Sequence, residues 1–301
     1  MNILVRADSS SSIGTGHIMR DLVIAKQFAG DNVIFATQDL PYNINSKIIE
    51  SGFMIETLQS NEINELDCLM KKLQIDMVII DHYGIDYDFE KQLKYNNPKL
   101  KILSLDDTYE NHYCDILLNH NISADESKYK NKVPAGCELR CGSEYTLLRE
   151  EFKIEKAKPK VVNEKPTVFV AMGGADHSNI NIDILEVLKA FKNIHVNLVT
   201  TNANKKLKVL ERYCNSKSWI NLHINSNEIA KLMKHCDFAI VTPSVTVNEI
   251  CFLEIPFIVI KTADNQIDMY EFLKYSKFSV LDKFNDLKLS MSVEKILKSL
   301  G

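Results

Sequence analysis

The stretch that decides the fold lies near the start of the chain and reads RADSSSSIGTGHIMR, residues 6–20. An apolar run at residues 3–5 precedes it, and Ile18, Leu22 and Ala25 follow at helical spacing. The order is therefore a strand, a glycine-containing loop and a helix. Because glycine has no Cβ atom, such a loop can turn tightly and approach a ligand closely.

Gly14, Gly16 and His17 form the centre of this loop. A helix start presents unpaired N–H groups and a partial positive charge, which suit an anion. His17 is the side chain here that can transfer a proton near neutral pH, and the positive helix end favours its neutral, basic form. The alternative is a structural turn in which His17 only packs or caps. A third glycine is missing, which argues against a dinucleotide site.

Length and composition indicate a globular protein of two domains. The chain has 301 residues, 45% of them hydrophobic and 25% charged, and this length exceeds the usual size of a single core. The net charge of −4 disfavours a nucleic-acid partner. No apolar run approaches the roughly 20 residues that span a bilayer, and no secretory signal is seen, so we expect no membrane partner. Seven scattered cysteines are typical of free thiols in the cytoplasm.

Two stretches of alternating strands and helices are predicted. The first has strands at 2–7, 32–37, 53–58, 77–81, 101–105 and 115–119. After a charged linker at 153–165, the second has strands at 167–172, 196–200, 220–224, 238–241 and 256–260. Apolar strands that alternate with helices predict parallel sheets covered on both faces. We therefore expect an α/β protein with domains at 1–155 and 156–301 and a ligand cleft between them.

Polar residues follow several strands of the first predicted sheet. Asp8 and Asp81 come directly after apolar runs, and Tyr83 and Asp107 follow such runs within three residues. Because ligands bind at the carboxyl ends of parallel strands, Asp8, Asp81 and Tyr83 are predicted to contact substrate near the His17 loop.

The second half carries its own glycine turn, Gly173-Gly174, between a strand and a helix. Backbone N–H groups at such a junction can bind a diphosphate. The lysine of a P-loop is missing, and a tight turn without a ligand is the alternative.

A third motif reads TPSVTVNE, residues 242–249. Ser244 and Thr246 suit a helix start, and Thr246 with Glu249 has the spacing of a capping box. The functional alternative places Glu249 in the first helical turn, where its carboxylate accepts hydrogen bonds from a ribose diol. Asn265 lies in a polar loop after the next strand and is predicted at the same edge.

A metal site is the less favoured interpretation of the remaining polar residues. His82, His120 and His177, with Asp81 and Asp106, could be combined into a ligand set, but no compact ligand motif is present. We therefore expect neither a metal nor another cofactor.

Taken together, the motifs at 14–17, 173–174, 244–249 and 264–266 resemble the MurG-type glycosyltransferases. The resemblance implies the GT-B fold, in which two Rossmann-like domains face each other across a cleft. It also implies a UDP-sugar bound mainly by the C-terminal domain. Gly173-Gly174 would bind the diphosphate, Ser244 and Thr246 would lie near the phosphates, and Glu249 would bind the ribose.

The first half narrows the resemblance. Residues 6–8, 13–20, 81–84, 105–107 and 142–152 look like the UDP-sugar hydrolase family of pseudaminic acid biosynthesis, a cytoplasmic step towards flagellin glycosylation. That family removes UDP from UDP-2,4-diacetamido-2,4,6-trideoxy-β-L-altropyranose. The resemblance implies cleavage between the anomeric carbon and the phosphate oxygen, with inversion and with water activated by His17. Asp21, where we expect Cys, and His120, where we expect Gln, depart from the pattern.

Three alternatives remain open at this point. The chain could be a glycosyltransferase of the same fold that uses a UDP-sugar donor, a non-hydrolysing epimerase, or a sugar-nucleotide binding protein without activity. Release of free sugar in the absence of an acceptor would separate the hydrolase from all three. The oligomeric state cannot be read from the sequence.

Overall fold

The computed structural model describes residues 1–300, which form two compact units. Unit 1 is Met1–Arg149, and unit 2 begins at Glu150. The strands of unit 1 are β1 Asn2–Ala7, β2 Asn32–Gln38, β3 Met54–Leu58, β4 Met77–Asp81, β5 Lys101–Leu105, β6 Ile116–Asn119 and β7 Glu138–Cys141. Its helices are α1 Gly16–Gln27, α2 Asn45–Glu50, α3 Ile63–Leu73 and α4 Tyr87–Asn96. Two 3-10 turns, Glu126–Tyr129 and Ser143–Tyr145, complete it.

The unit 1 strands form one parallel sheet in the order β3-β2-β1-β4-β5-β6-β7. The chain order reverses between β1 and β4, and such a switch point is where parallel sheets bind ligands. The register places Ala7 beside Asp81 at the carboxyl ends of these two strands. The loop after β1, which carries His17, therefore starts next to the end of β4.

The side chains of β1 alternate between the two faces of this sheet, as the period of a strand requires. Ile3 and Val5 pack with Ile18 of α1 on one face, whereas Leu4 packs with Leu66 of α3 on the other. All five are 2% exposed or less. Complete burial of each contributes about 1.5–3 kcal/mol to folding. The loops at the sheet edge thus extend from a rigid base.

Unit 2 repeats this architecture with a smaller sheet. Its strands are β8 Thr167–Ala171, β9 His195–Thr200, β10 Ile220–Ile224, β11 Phe238–Val241, β12 Phe257–Ile260 and β13 Ser279–Leu281. Its helices are α5 Glu150–Ala157, α6 Asn181–Lys189, α7 Leu207–Cys214, α8 Ile229–Lys234, α9 Val245–Leu253, α10 Ile267–Tyr275 and α11 Asp286–Leu300, with a 3-10 turn at Asp264–Gln266. The strands are parallel in the order β10-β9-β8-β11-β12-β13. The predicted α/β class with parallel sheets is confirmed.

The predicted linker at 153–165 is partly wrong, because its first residues belong to α5. Phe152 is fully buried, and α5 packs against α8 and α9 of unit 2. Glu150 and Glu151 lie in the first turn, where a helix favours acidic residues, and Pro159 follows the last turn. The predicted domain boundary between residues 155 and 156 consequently falls inside a helix.

Candidate active site

His17 is presented by a loop that is fixed before the helix begins. Gly14 has φ of +86°, a conformation that favours glycine, and its N–H donates to the carbonyl of Ser10 at 2.8 Å. Helix α1 begins at Gly16, and the side chain of Thr15 does not cap it. His17 is thus the second residue of α1, and it is only 6% exposed.

Asp81, the last residue of β4, orients the imidazole ring of His17. Oδ1 of Asp81 lies 2.6 Å from Nδ1 of His17. A carboxylate at this distance accepts the hydrogen of Nδ1 and so fixes the tautomer of the ring. Nε2 of His17 then keeps its lone pair, which a general base requires.

Arg20, one turn after His17 on α1, holds Asp81 in place. Its Nε donates to Oδ2 of Asp81 at 2.6 Å and its Nη2 donates to Oδ1 at 2.5 Å. Burial alone would raise the pKa of Asp81, but the charge of Arg20 and the hydrogen bonds from Arg20 and His17 lower this pKa well below its usual range. Asp81 therefore stays ionised at neutral pH and remains a fixed acceptor for His17.

Tyr83 and Asp107 complete what we call the His17 cluster, made of His17, Asp81, Arg20, Asp107 and Tyr83. The third nitrogen of Arg20, Nη1, donates to Oδ2 of Asp107 at 3.0 Å, and the hydroxyl of Tyr83 donates to Oδ1 of Asp107 at 2.9 Å. The ring of Tyr83 meets the ring of His17 edge to face, with centroids 4.9 Å apart. Tyr83 is 66% exposed, so it is the member that a ligand can reach most easily.

Asp8, which was predicted to contact substrate, is held by several hydrogen bonds within unit 1. Its side chain is fully buried and accepts two hydrogen bonds from Arg6, at 2.7 and 2.8 Å. The N–H of Gln38 and Nε2 of His82 also contact its carboxylate, at 2.7 and 3.1 Å. Asp8 therefore ties together the ends of β1, β2 and β4. Asp81 was also predicted to contact substrate, and for both carboxylates that contact stays a prediction, because the partners seen here lie within the protein.

Two buried polar residues beside Arg20 were not predicted as part of the site. Nε2 of His120 lies 3.5 Å from Nη1 of Arg20. Burial and the charge of Arg20 lower the pKa of His120 to about 4, so its ring is neutral at physiological pH. Asp21 is fully buried, and burial together with the charge of Asp81 raises its pKa. The two positions that depart from the family pattern thus border the His17 cluster.

In unit 2, Gly173 and Gly174 form the turn that follows β8. Gly173 has φ of +79°, which only glycine adopts readily. The carbonyl of Gly174 accepts hydrogen bonds from the backbone N–H and the hydroxyl of Thr201, both at 2.9 Å. A Cβ atom at Gly174 would lie 2.9 Å from Cγ2 of Thr201. Neither position admits a larger residue without strain.

The start of α6, beyond this turn, is partly capped by the chain itself. The carboxylate of Asp176 accepts from the N–H groups of Ile180 and Asn181 at 3.3 and 3.2 Å. Burial raises the pKa of Asp176. Asp176 therefore engages the N–H groups of Ile180 and Asn181 at the start of α6.

Helix α9 begins at Val245, whereas the predicted capping box requires Thr246 to precede the helix. Ser244 is extended, with φ of −144° and ψ of −174°, and Val245 is the first helical residue. The hydroxyl of Ser244 does not cap the helix, and Thr246 lies in the first turn. Glu249 lies beyond the first turn of α9, so its predicted place in that turn is wrong. The capping box of Thr246 and Glu249 is not formed either.

Several of the predicted UDP-binding residues lie in loops that follow neighbouring strands of one sheet. Gly173 and Gly174 follow β8, Ser244 follows β11, and Asn265 lies in the 3-10 turn after β12. Because β8, β11 and β12 are parallel neighbours, these loops share the carboxyl edge of the sheet. Asn265 is exposed there.

Residues 1–300 contain no group of three or more His, Cys, Asp or Glu side chains placed to hold a metal ion. The seven cysteines are all free thiols. In the same range, every helix is too short or too polar to cross a membrane.

Comparisons with known proteins point to one family. No protein-family model matches the chain. The chain is 39% identical over 284 residues to the UDP-2,4-diacetamido-2,4,6-trideoxy-β-L-altropyranose hydrolase of Campylobacter jejuni, a match that covers 94% of this chain and 100% of that protein.

Solved structures identify the fold as GT-B. MurG of Acinetobacter baumannii aligns with a TM-score of 0.65 and 12% identity over 98% of this chain and 90% of its own. The UDP-GlcNAc 2-epimerase of Neisseria meningitidis, solved with UDP-GlcNAc, aligns with a TM-score of 0.65 and 11% identity over 99% of this chain and 92% of its own. At this identity the likeness concerns the fold alone.

Proposed function

Because the chain belongs to the family of the UDP-2,4-diacetamido-2,4,6-trideoxy-β-L-altropyranose hydrolase, we propose that it hydrolyses this UDP-sugar to the free sugar and UDP. The similarity over 94% of the chain supports the substrate. One observation carries the chemistry: Nδ1 of His17 lies 2.6 Å from the carboxylate of Asp81, which leaves Nε2 as the basic nitrogen.

In the proposed reaction, Nε2 of His17 takes a proton from a water molecule while the water oxygen bonds to the anomeric carbon. The bond from that carbon to the phosphate oxygen breaks, and UDP leaves with the electron pair. A single displacement inverts the anomeric centre. Proton removal by a positioned base contributes about 10²–10⁴-fold to the rate. Asp81 and Arg20 act through His17, since they hold its ring and its tautomer.

We assign the UDP moiety to unit 2. A leaving diphosphate needs stabilisation of negative charge more than it needs a proton. The N–H groups of the turn at Gly173 and Gly174 are suited to this, as are those at the start of α9, where Ser244 precedes the helix and Thr246 lies in its first turn. The hydroxyl of Ser244 does not cap that helix. Glu249 would accept hydrogen bonds from the ribose hydroxyls.

Asn265 would also contact the nucleotide. In unit 1, Gly14 and Gly16 would bring the backbone close to the sugar, and Tyr83 would contact it. No metal or cofactor takes part. We place the reaction in the cytoplasm as a step of pseudaminic acid biosynthesis that serves flagellin glycosylation, and the free thiols are consistent with a reducing compartment.

A test of this proposal needs no acceptor. The UDP-sugar is incubated with the protein alone, and free sugar and UDP are followed by proton NMR. We expect rapid, complete conversion by the wild type, and loss of turnover with retained UDP binding in His17→Phe. A glycosyltransferase would leave the donor nearly intact until an acceptor is added, an epimerase would give a new UDP-sugar, and a silent binding protein would give no product.

A further inference from the structure

The four residues that follow β4 form a tight turn, and Tyr83 lies at its tip. The carbonyl of His82 accepts a hydrogen bond from the N–H of Ile85 at 3.0 Å, which closes the turn. Ile85 is buried in the core, whereas Tyr83 is exposed. Because the ring of Tyr83 contacts the ring of His17, the conformation of this turn decides where one wall of the candidate site lies.

The side chain of His82 connects this turn to the buried Asp8. Its Nδ1 accepts a hydrogen bond from the N–H of Gly84 at 3.0 Å, and its Nε2 lies 3.1 Å from Oδ2 of Asp8. A backbone N–H can only donate, so Nδ1 carries no proton, and Nε2 holds the hydrogen that is donated to Asp8. His82 therefore has the tautomer opposite to that of His17, whose Nδ1 donates to Asp81.

Gly84 is closely fitted against the ring of His82. A Cβ atom at Gly84 would lie 2.9 Å from Cε1 of His82 and 3.1 Å from Nδ2 of Asn61, closer than such atoms normally approach. The carbonyl of Gly84 accepts from Nδ2 of Asn61 at 2.9 Å, and Oδ1 of Asn61 accepts from Nη2 of Arg6 at 3.1 Å. Arg6 also donates to Asp8. Two chains of hydrogen bonds, through His82 and through Asn61, thus connect the turn to one buried ion pair.

We propose that His82 is a positioning residue for the hydrolysis and that it acts through Tyr83. Its two nitrogens bind Gly84 and Asp8, and this keeps the turn in a single conformation. That conformation places the ring of Tyr83 against the ring of His17. This inference rests on the proposed function, because the place of Tyr83 matters to the rate only if the sugar binds beside it.

A double-mutant cycle tests the inference, because it separates an effect through Tyr83 from general damage to the fold. His82→Leu is similar in size to the histidine and removes both nitrogens. We expect it to lower kcat/KM about 10- to 100-fold in the wild type, but less than about 2-fold when Tyr83 is already replaced by alanine. Equal losses in the two backgrounds overturn the inference.

Gly84→Ala is a second variant, which displaces the ring of His82 without removing it and takes its place in the cycle if His82→Leu does not fold. The matched control is Gly136→Ala, since Gly136 is another exposed glycine of unit 1 and an added Cβ atom there meets nothing within 4 Å. We expect Gly84→Ala to lower kcat/KM as His82→Leu does, and Gly136→Ala to retain wild-type kinetics. Wild-type kinetics in both His82→Leu and Gly84→Ala overturn the inference.

NMR of the resting protein gives a readout that does not depend on activity. In ¹⁵N spectra assigned from the wild type, the ring of His82 should carry its hydrogen on Nε2 and the ring of His17 on Nδ1. The nuclear Overhauser effect between the rings of Tyr83 and His17 should be lost in Gly84→Ala and kept in Gly136→Ala. A hydrogen on Nδ1 of His82, or a ring contact that Gly84→Ala leaves unchanged, overturns the inference. If the wild type releases no UDP, the proposed function fails, whereas these spectra still decide whether His82 sets the place of Tyr83.

Discussion

At the scale of single residues, the chemistry depends on how His17 is held. The ring is fixed by Asp81 on one side and contacted by Tyr83 on the other, and Arg20 connects Asp81 to Asp107, which binds Tyr83. The position of His17 at the start of α1 could be predicted from the sequence, because a glycine loop precedes a helical pattern there. The interactions of Asp81 and Arg20 with His17 could not be predicted from the sequence. Arg20 does follow His17 by three residues and therefore shares its helix face.

The variant Asp81→Asn tests whether catalysis depends on how His17 is oriented, because it keeps His17 and changes only the group that holds its ring. An amide can place its NH2 group against Nδ1 and so favour the wrong tautomer. We expect kcat to fall by about 10²–10⁴-fold with a small change in KM. The matched control is Asp67→Asn, which removes another largely buried carboxylate of unit 1 that pairs with Lys71. The orienting role is refuted if both variants have similar kcat.

Acid titration of stability gives an independent test of the same carboxylate. Because the folded protein lowers the pKa of Asp81 below the value of about 3.9 in an unfolded chain, its ionisation stabilises the fold fully above that pH. This stabilisation is lost as the pH falls towards the folded pKa. At pH 7 we expect the free energy of unfolding, measured with urea, to be about 3–5 kcal/mol higher for the wild type than for Asp81→Asn. Below about pH 4 this difference should shrink. A difference that is constant down to pH 3 contradicts the ion pair.

At the scale of elements, the strands that were predicted are those with a buried apolar run. The two strands that were missed, β7 and β13, each lie at one end of a sheet, are only four and three residues long, and have mostly partly buried side chains. They carry little of the apolar pattern from which strands are predicted. Helix α5 was missed for a related reason: its sequence is mostly charged, and its contact with α8 and α9 is not visible in the local pattern.

The glycine turn after β8 can be tested by a matched pair of substitutions. Gly173 and Gly52 have similar φ angles, +79° and +88°, and an added Cβ atom would meet nothing within 4 Å at either site. Alanine should therefore cost about 1–2 kcal/mol of stability in both cases. We expect Gly173→Ala alone to weaken UDP binding several-fold in calorimetry. Equal UDP affinity in the two variants would remove Gly173 from the diphosphate site.

At the scale of the whole molecule, the chain repeats one architecture in two units with different tasks. The first six strands of the unit 1 sheet have the same order as the six strands of unit 2. This could be predicted, because alternation of strands and helices restarts after residue 165. The division of labour is a proposal: unit 1 supplies the base and the sugar contacts, and unit 2 supplies the contacts to UDP.

Hydrogen exchange with UDP alone tests this division. The proposal predicts slower exchange in unit 2 at the loop after β8 and at the start of α9, since bound phosphates engage those N–H groups. The loop that carries His17 should change much less. Protection confined to residues 8–17 would place the nucleotide in unit 1 and reverse the proposed roles.

The most direct measurement is the anomer that forms first, followed by NMR during hydrolysis of the β-configured UDP-sugar in water enriched in ¹⁸O. We predict that the α-anomer of the free sugar appears before mutarotation, and that the UDP released carries no ¹⁸O on its β-phosphorus. A β-anomer as the first product, or ¹⁸O in UDP, would contradict attack at the anomeric carbon by water that His17 activates.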